Sequence, residues 1–290
     1  MFSKAYEIAS QYTAPVIISS LSINNEVQCH GGAFVYLNNE GWILSVAHIF
    51  NTRNKCEKDS KLLTKYYQEI KNIENNPRIN LHTKKKKIAN VKKDPDWVIT
   101  DSYFWGNDNV YLEDIKIIPE ADLVIGRLDP FHPKSVKTYP KLKDPSELKP
   151  GTSLCKLGFP FHQINAVYDN KTGGFQFDQN AFPVPLFPID GILTRIFLCG
   201  KTKDEKYDIK FIETSSPGLL GQSGGPIFDS NATIWGIQSH TSCLPLGFSP
   251  KIAKNGKDIE ENQFINVGYG IHPEVIINLL TDNGVKFELG

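Results

Sequence analysis

The segment Gly221–Pro226, which reads Gly-Gln-Ser-Gly-Gly-Pro, constrains the fold of this chain more than any other. Glycines on both sides of Ser223 let the backbone bend sharply and keep side-chain bulk away from its hydroxyl. The backbone N–H groups of Gly221 and Ser223 can then converge where the oxygen of a tetrahedral intermediate would lie. The segment therefore predicts an acyl-transfer nucleophile with its oxyanion hole. The alternative is a plain Gly-Pro turn between two strands, because a Gly-x-Ser-x-Gly match alone is not specific.

Two earlier segments favour the nucleophile. An apolar run ends in His48, and Asp122 opens a second strand-like run. Each residue alone is more often a turn or core residue than a catalyst. Together with Ser223 they give the chain order His, Asp, Ser, which is the order of the triad in chymotrypsin. An α/β-hydrolase places its nucleophile first, and too little chain follows Ser223 to complete that fold.

Three motifs carry a resemblance to a known family. Residues 45–48 (Ser-Val-Ala-His) resemble Thr-Ala-Ala-His, residues 122–125 (Asp-Leu-Val-Ile) resemble Asp-Ile-Ala-Leu, and residues 221–226 match Gly-x-Ser-Gly-Gly-Pro. On these motifs the chain resembles the trypsin-like serine peptidases of the chymotrypsin fold, in the style of bacterial HtrA-type proteases and glutamyl endopeptidases. Residues 268–273 and 273–280 resemble the last strand and the terminal helix of such domains.

The resemblance implies an all-β fold of two six-stranded antiparallel β-barrels with the active site between them. We expect residues 1–135 to form the first barrel, with His48 and Asp122, and residues 136–290 to form the second, with Ser223 and a C-terminal helix. The residues near 53–95 are rich in Lys, Asn and Glu and predict an inserted amphipathic helix, beginning after Asp59-Ser60 and ending before Asn76-Pro77. The lysine run at residues 84–87 is expected in a solvated loop.

The function implied is that of a serine endopeptidase without cofactor or metal. Ser223 would attack the scissile carbonyl, His48 would take and return its proton, and Asp122 would orient the imidazole, with Ser239 supporting the aspartate. Two alternatives stay open: a noncatalytic peptide-binding module on the same scaffold, and an esterase that uses the same three residues.

The resemblance also indicates where a primary substrate pocket would lie. Its base would be Pro217, which carries no charge to pair with Lys or Arg, so tryptic specificity is not expected. The walls would come from four further residues: Leu220, Gln238, His240 and Tyr269. Gln238 stands where glutamyl endopeptidases carry a histidine. The residue that usually accompanies their specificity for glutamate is therefore missing at this position.

Composition and charge exclude other classes of function. The chain has 40% hydrophobic residues and equal counts of 32 acidic and 32 basic residues, so its overall charge favours neither nucleic acid nor a membrane surface. No apolar segment has the length of a membrane span or a signal peptide, and five scattered cysteines are expected to be unpaired, small buried residues. These features predict a cytoplasmic protein.

We expect no zymogen-type activation. Gln222 stands where secreted relatives carry the aspartate that receives a new N-terminal amine, and the first residues contain no clear propeptide. The loop from Pro217 to Ser223 is therefore expected to be ordered by its own packing or by an activating protein partner. The other partner expected is the polypeptide substrate.

Overall fold

The computed structural model describes residues 1–254, 257–260 and 263–290. Two β-sheets dominate the fold, and helices lie at both ends of the chain and in the first half. The helices are α1 (Ser3–Tyr12), α2 (Asn51–Glu74), α3 (Leu81–Ala89) and α4 (Pro273–Asp282), with short 3-10 turns at Ala47–Phe50, Pro119–Ala121, Pro133–Ser135 and Pro145–Glu147.

The first sheet contains six antiparallel strands in the spatial order β4-β1-β2-β3-β6-β5. Most residues of β3 and of the start of β6 are apolar, and these strands lie in the middle of the sheet with nearly all of their residues buried. The strands are β1 (Thr13–Ser22), β2 (Val27–Tyr36), β3 (Trp42–Val46), β4 (Val98–Phe104), β5 (Tyr111–Ile118) and β6 (Leu123–Asp129).

The second sheet closes on itself as a barrel. Six strands form an antiparallel ring, since β13 pairs with both β8 and β14, and two-residue strands β7 and β18 extend its edge. Hairpins β9–β10 and β15–β16 lie outside the ring. The strands are β7 (Lys141–Leu142), β8 (Ser153–Gly158), β9 (Ala166–Asp169), β10 (Gly174–Phe177), β11 (Phe187–Lys201), β12 (Asp208–Thr214), β13 (Pro226–Phe228), β14 (Ile234–Pro245), β15 (Lys251–Lys254), β16 (Lys257–Glu260), β17 (Phe264–Ile271) and β18 (Glu288–Leu289).

The predicted fold class is confirmed. The strands of the first sheet end at Asp129 and those of the second begin at Lys141, with the Pro- and Lys-rich connection between them. The division into domains at residues 135 and 136 stays a prediction. One buried apolar cluster includes residues from both sheets, so the two halves share a core.

The inserted helical segment differs from its prediction in two respects. Helix α2 begins at Asn51, so Asp59 lies inside the helix, where its Oδ2 accepts hydrogen bonds from Lys55 Nζ (2.6 Å) and from Val98 N–H of β4 (2.9 Å). Asp59 was predicted as a start signal because aspartate favours helix N-termini, but a tertiary bond to β4 uses its carboxylate instead. The lysines at 84–87 lie on α3 rather than in a loop.

Helix α1 was not predicted, and it connects the start of the chain to the second half. Its buried residues Ala5, Ala9 and Tyr12 recur at helical spacing. The Tyr12 hydroxyl donates to the Ala232 carbonyl at 2.8 Å, and the Phe2 ring packs edge-on against Phe228. The first twelve residues therefore stabilise the contact between the two halves.

All five cysteines are free, as expected, but they are not all buried. Cys155 is buried, whereas Cys199 and Cys243 are exposed on β11 and β14. Alternating strand residues face opposite sides, so a cysteine on the outer face of a barrel strand is exposed whatever its hydrophobicity.

Candidate active site

The pairing of β3 with β6 brings His48 and Asp122 together. Val46, the last residue of β3, lies opposite Leu123, the first residue of β6. The chain just beyond each end is therefore adjacent, and Ala47 N–H donates to the Asp122 carbonyl at 3.0 Å. His48 N–H donates to Asp122 Oδ1, and ring Nδ1 lies 2.9 Å from Asp122 Oδ2. When Nδ1–H donates to the carboxylate, the neutral ring presents Nε2 as a proton acceptor.

Asp122 adopts an uncommon backbone conformation. With φ 54° and ψ 33°, it ends the 3-10 turn Pro119–Ala121 in the left-handed region. Aspartate enters this region more readily than most residues, and such conformations concentrate at functional sites. The turn directs the Asp122 carboxylate towards His48, and β6 begins only at the next residue.

A third hydrogen bond fixes the Asp122 carboxylate. Ser239 Oγ on β14 donates to Asp122 Oδ2 at 2.5 Å, so the residue predicted as a support contacts the aspartate across the two sheets. Burial opposes ionisation, but the hydrogen bonds and charge of His48, with the Ser239 bond, hold the pKa of Asp122 below its ordinary value. The carboxylate therefore stays ionised and can stabilise a positive charge on His48.

Ser223 lies in the tight turn before β13, pressed against β2 of the first sheet. Ala33 N–H donates to the Ser223 carbonyl at 2.7 Å, and Gly224 N–H donates to the Gln238 carbonyl at 2.8 Å. Gly224 has φ +85°, and a Cβ there would lie 2.0 Å from the Ala33 carbonyl oxygen. Only glycine fits this position, because any side chain would collide with the backbone of β2.

The Ser223 hydroxyl joins the same hydrogen-bonded cluster. Its Oγ donates to the Ser239 carbonyl at 3.3 Å, while the Ser239 hydroxyl donates to Asp122. Within the described part of the chain, no hydrogen bond joins Ser223 Oγ to the His48 ring. Catalytic hydrogen bonds are often absent or long before substrate binds, and rotation about one side-chain bond redirects the hydroxyl.

Two backbone donors in this turn are available for an oxyanion. Among the described residues, neither Gly221 N–H nor Ser223 N–H has a protein acceptor. Gly221 has φ +96°, and its carbonyl accepts from Phe159 N–H at 2.9 Å, which anchors the peptide that follows Gly221. These are the two donors predicted from the sequence.

The side chain of Gln222 braces the turn from within. It is fully buried, its Oε1 accepts from Leu219 N–H at 3.0 Å, and its Nε2 donates to the Phe187 carbonyl at 3.2 Å. A neutral amide therefore bonds to the loop backbone at the position where secreted relatives carry an aspartate. The sequence identified Gln222 only as a missing aspartate, and its bracing role was missed.

The predicted pocket residues separate into two groups. Gln238 is buried, and its Nε2 donates to the carbonyls of His240 (3.0 Å) and Tyr269 (3.2 Å), whose rings stack with centroids 4.9 Å apart. Burial lowers the pKa of His240. Leu220 differs from these residues, because 91% of its surface is exposed. It borders an open groove of about 650 Å³ between β2, the segment after β8 and the loop of Gly221.

Lys156 is a residue of this region that the sequence analysis missed. It lies on β8 with 1% of its surface exposed, and its Nζ donates to the carbonyls of Ser216 and Pro217. Burial lowers the pKa of Lys156 to about 7. The signal was a lysine two residues after Leu154, because alternate side chains of a strand share a face and Lys156 therefore lies on the same face as Leu154.

The described residues contain no cluster of His, Cys, Asp and Glu arranged to hold a metal ion. Within the same residues, no helix has the length and apolar character needed to cross a bilayer.

Comparison with solved structures identifies the fold. A variant of the HtrA-type protease AlgW with a decapeptide matches 98% of this chain and 68% of its own, with 12% identity and a TM-score of 0.50. The fold is that of the HtrA-type proteases. AlgW with a tripeptide (13% identity, 98% of this chain, TM-score 0.49) and the active form of the Rv3671c protease from M. tuberculosis (11%, 99%, 0.48) are also similar.

The likeness to HtrA-type proteases covers nearly all of this chain but less of theirs. The chain spans 63% to 68% of the AlgW chains that it matches, and 86% of the Rv3671c chain. No protein-family model matches the sequence, and no curated protein sequence matches it. At these identities the HtrA-type likeness establishes the fold, while the chemistry rests on the residues of the site.

Proposed function

We propose that the protein is a serine endopeptidase that cleaves peptide bonds through His48, Asp122 and Ser223. The observation that carries this proposal is the hydrogen-bonded cluster in which Ser239 links Ser223 to Asp122, and Asp122 bonds directly to His48. Each of the three residues comes from a different segment, and such convergence of nucleophile, base and acid is what acyl transfer requires.

The mechanism follows from the chemistry of these groups. Ser223 Oγ attacks the scissile carbonyl carbon as His48 Nε2 takes the hydroxyl proton, and Asp122 stabilises the imidazolium. The C–N bond then breaks, the amine leaves with the proton from His48, and an acyl ester remains on Ser223. Water, activated by His48, hydrolyses the ester and restores the serine. The N–H groups of Gly221 and Ser223 stabilise the oxyanion in both steps.

The bracing by Gln222 supports activity without N-terminal cleavage. In this proposal the oxyanion turn is preorganised by the amide of Gln222, so a chain that retains Met1 is competent. Probe labelling of the intact chain with and without limited proteolysis checks this, and labelling that appears only after cleavage near the N-terminus contradicts it.

The first prediction tests the nucleophile. Ser223→Ala removes the attacking oxygen, keeps the glycine-rich turn, and is expected to abolish labelling by a fluorophosphonate probe and lower peptide turnover at least about 1,000-fold. Ser230→Ala is the matched control, because Ser230 is an exposed serine just beyond β13. Equal labelling of the wild type and Ser223→Ala contradicts the proposal.

Two further measurements separate the alternatives. A peptide-binding module without activity would bind peptides but show neither labelling nor turnover in the wild type. An esterase would be labelled by the probe and would hydrolyse small acyl esters while leaving peptides intact.

His48→Ala and Asp122→Asn are each expected to lower peptide turnover severely. Adding either substitution to Ser223→Ala is expected to lower turnover little further, because the three residues act as one unit.

A further inference from the structure

Lys156 places a positive charge beneath the backbone that forms the base of the predicted substrate pocket. Its Nζ contacts the carbonyls of Ser216 and Pro217 from inside the second barrel. Gly268 borders the same space, since a Cβ there would lie 2.4 Å from Lys156 Nζ and 3.0 Å from Gly218 N. The ammonium is therefore enclosed by two of the segments that the resemblance assigned to the pocket, the one that begins at Pro217 and the strand around Tyr269.

This buried ammonium lacks the partner that a structural lysine normally has. None of the ion pairs among the described residues includes Lys156, whose two hydrogen bonds go to neutral carbonyls. Burying a charge without a counter-ion is costly, so the position needs an explanation. Two buried polar atoms of the segments around the predicted pocket, Ser216 Oγ and Gln238 Oε1, have no hydrogen-bond partner among the residues that the structure describes.

A pair of hydrogen bonds joins the two segments of the predicted pocket at Gly218 and Thr241. Thr241 Oγ1 accepts from Gly218 N–H (2.8 Å) and donates to the Gly218 carbonyl (2.6 Å). Beneath this clamp the Gln238 amide fills the space beside Gly218, since a Cβ there would lie 2.1 Å from Gln238 Nε2. Thr241 is exposed, so a substrate backbone can take over its hydrogen bonds and separate the two segments.

We infer that Lys156 determines substrate specificity by pairing with the carboxylate of an acidic residue immediately before the scissile bond. This inference rests on the proposed peptidase function. The carboxylate would accept a charge-assisted hydrogen bond from Nζ and supply the counter-ion that the described residues lack. The charge comes from β8, so specificity for an acidic residue does not require a histidine at position 238.

The test compares isosteric peptides. Two internally quenched peptides that differ only in Glu or Gln before the cleaved bond are assayed at pH 6 with the wild type, Lys156→Met and Lys156→Gln. The wild type is expected to favour Glu by about tenfold or more in kcat/KM, as a charge-assisted bond provides, and both variants are expected to lose that preference. Lys201→Met, which removes an exposed lysine from the same barrel, is expected to keep it.

A binding measurement separates this inference from the proposed function. Fluorescence anisotropy of the same peptides with Ser223→Ala is expected to show tighter binding of Glu than Gln, and Ser223→Ala with Lys156→Met is expected to bind both alike. A labelled, active wild type that prefers Gln, or neither peptide, overturns the inference and leaves the peptidase intact. Glu preference in binding that depends on Lys156, in a wild type without labelling or turnover, supports the inferred role of Lys156 and overturns the peptidase proposal.

Discussion

At the residue scale, the residues of the candidate site differ in whether a sequence motif identifies them. The sequence motifs predicted His48, Asp122 and Ser223, because spacing and residue type identify a candidate nucleophile, base and acid. Lys156 carries no motif, and its importance follows from burial, which depends on how β8 packs beneath residues 216–218. Local sequence could not determine that packing.

The second prediction concerns the charge on Lys156. Its pKa, about 7 in the folded chain, lies below the ordinary value of 10.5 because of burial, so the unfolded chain binds more protons between these values. The Lys156 contribution to wild-type stability therefore becomes more favourable as the pH rises from 7 to 10.5. The free energy of unfolding of Lys156→Met minus that of the wild type is expected to fall by roughly 3 to 5 kcal/mol over that range.

Urea unfolding at several pH values measures this difference, and other titrating groups cancel in the comparison. The exposed control Lys201→Met is expected to show a nearly constant offset from the wild type. A constant offset for Lys156→Met as well would show that its ammonium is not desolvated.

The third prediction concerns Gly224. Its φ is +85°, and an added Cβ would lie 2.0 Å from the Ala33 carbonyl oxygen. Gly224→Ala is expected to lower the free energy of unfolding by about 3 kcal/mol or more and to reduce probe labelling, because β2 or the turn must shift. Gly151→Ala is the matched control, since Gly151 has φ +88° and no atom within 4 Å of its Cβ position. Equal losses in the two variants would mean that backbone strain, and not the collision, is responsible.

At the element scale, the strands that carry motifs were predicted well and the helices less so. Apolar runs identified β3 and β6, and the family resemblance predicted the terminal helix, which the structure places at Pro273–Asp282. Helix α1 was missed because its short side chains, Ala5 and Ala9, give a weak pattern before β1. The start of α2 was misplaced because Asp59 serves β4 rather than a helix end.

The fourth prediction concerns the loop that presents the nucleophile. Gln222→Ala removes the bonds to Leu219 and Phe187, so the oxyanion donors lose their fixed orientation. We expect kcat to fall about tenfold or more while KM changes less, because these donors act mainly in the transition state. Gln163→Ala, an exposed glutamine bonded only to Asn165 among the described residues, provides the comparison. A change confined to KM would argue against a role in the oxyanion turn.

At the scale of the whole molecule, the two halves are joined by a shared core and by hydrogen bonds that cross between the sheets. The sequence predicted two strand-rich halves and a site between them, since the motif order requires both. It could not predict that the first twelve residues pack on the second half, because that contact joins residues 220 positions apart.

The fifth prediction tests that connection. Tyr12→Phe removes the hydrogen bond to the Ala232 carbonyl and leaves the ring in place. The free energy of unfolding is expected to fall by about 1 kcal/mol, the usual contribution of a buried hydrogen bond. Tyr111→Phe is the control, because the Tyr111 side chain is exposed on β5. Thermal or urea unfolding measures both, and an unchanged Tyr12→Phe would show that water replaces the bond.

The bond from Ala33 N–H to the Ser223 carbonyl has a consequence for synthesis of the chain. The nucleophile turn rests on a strand made nearly two hundred residues earlier, and Ser239, which joins the cluster, is made later still. A ribosome-bound chain therefore carries the histidine and the aspartate long before it has a supported serine. Under the proposed peptidase function, the nascent chain cannot cleave its own unfolded segments or neighbouring nascent chains, because the site exists only once both halves have been made and have docked.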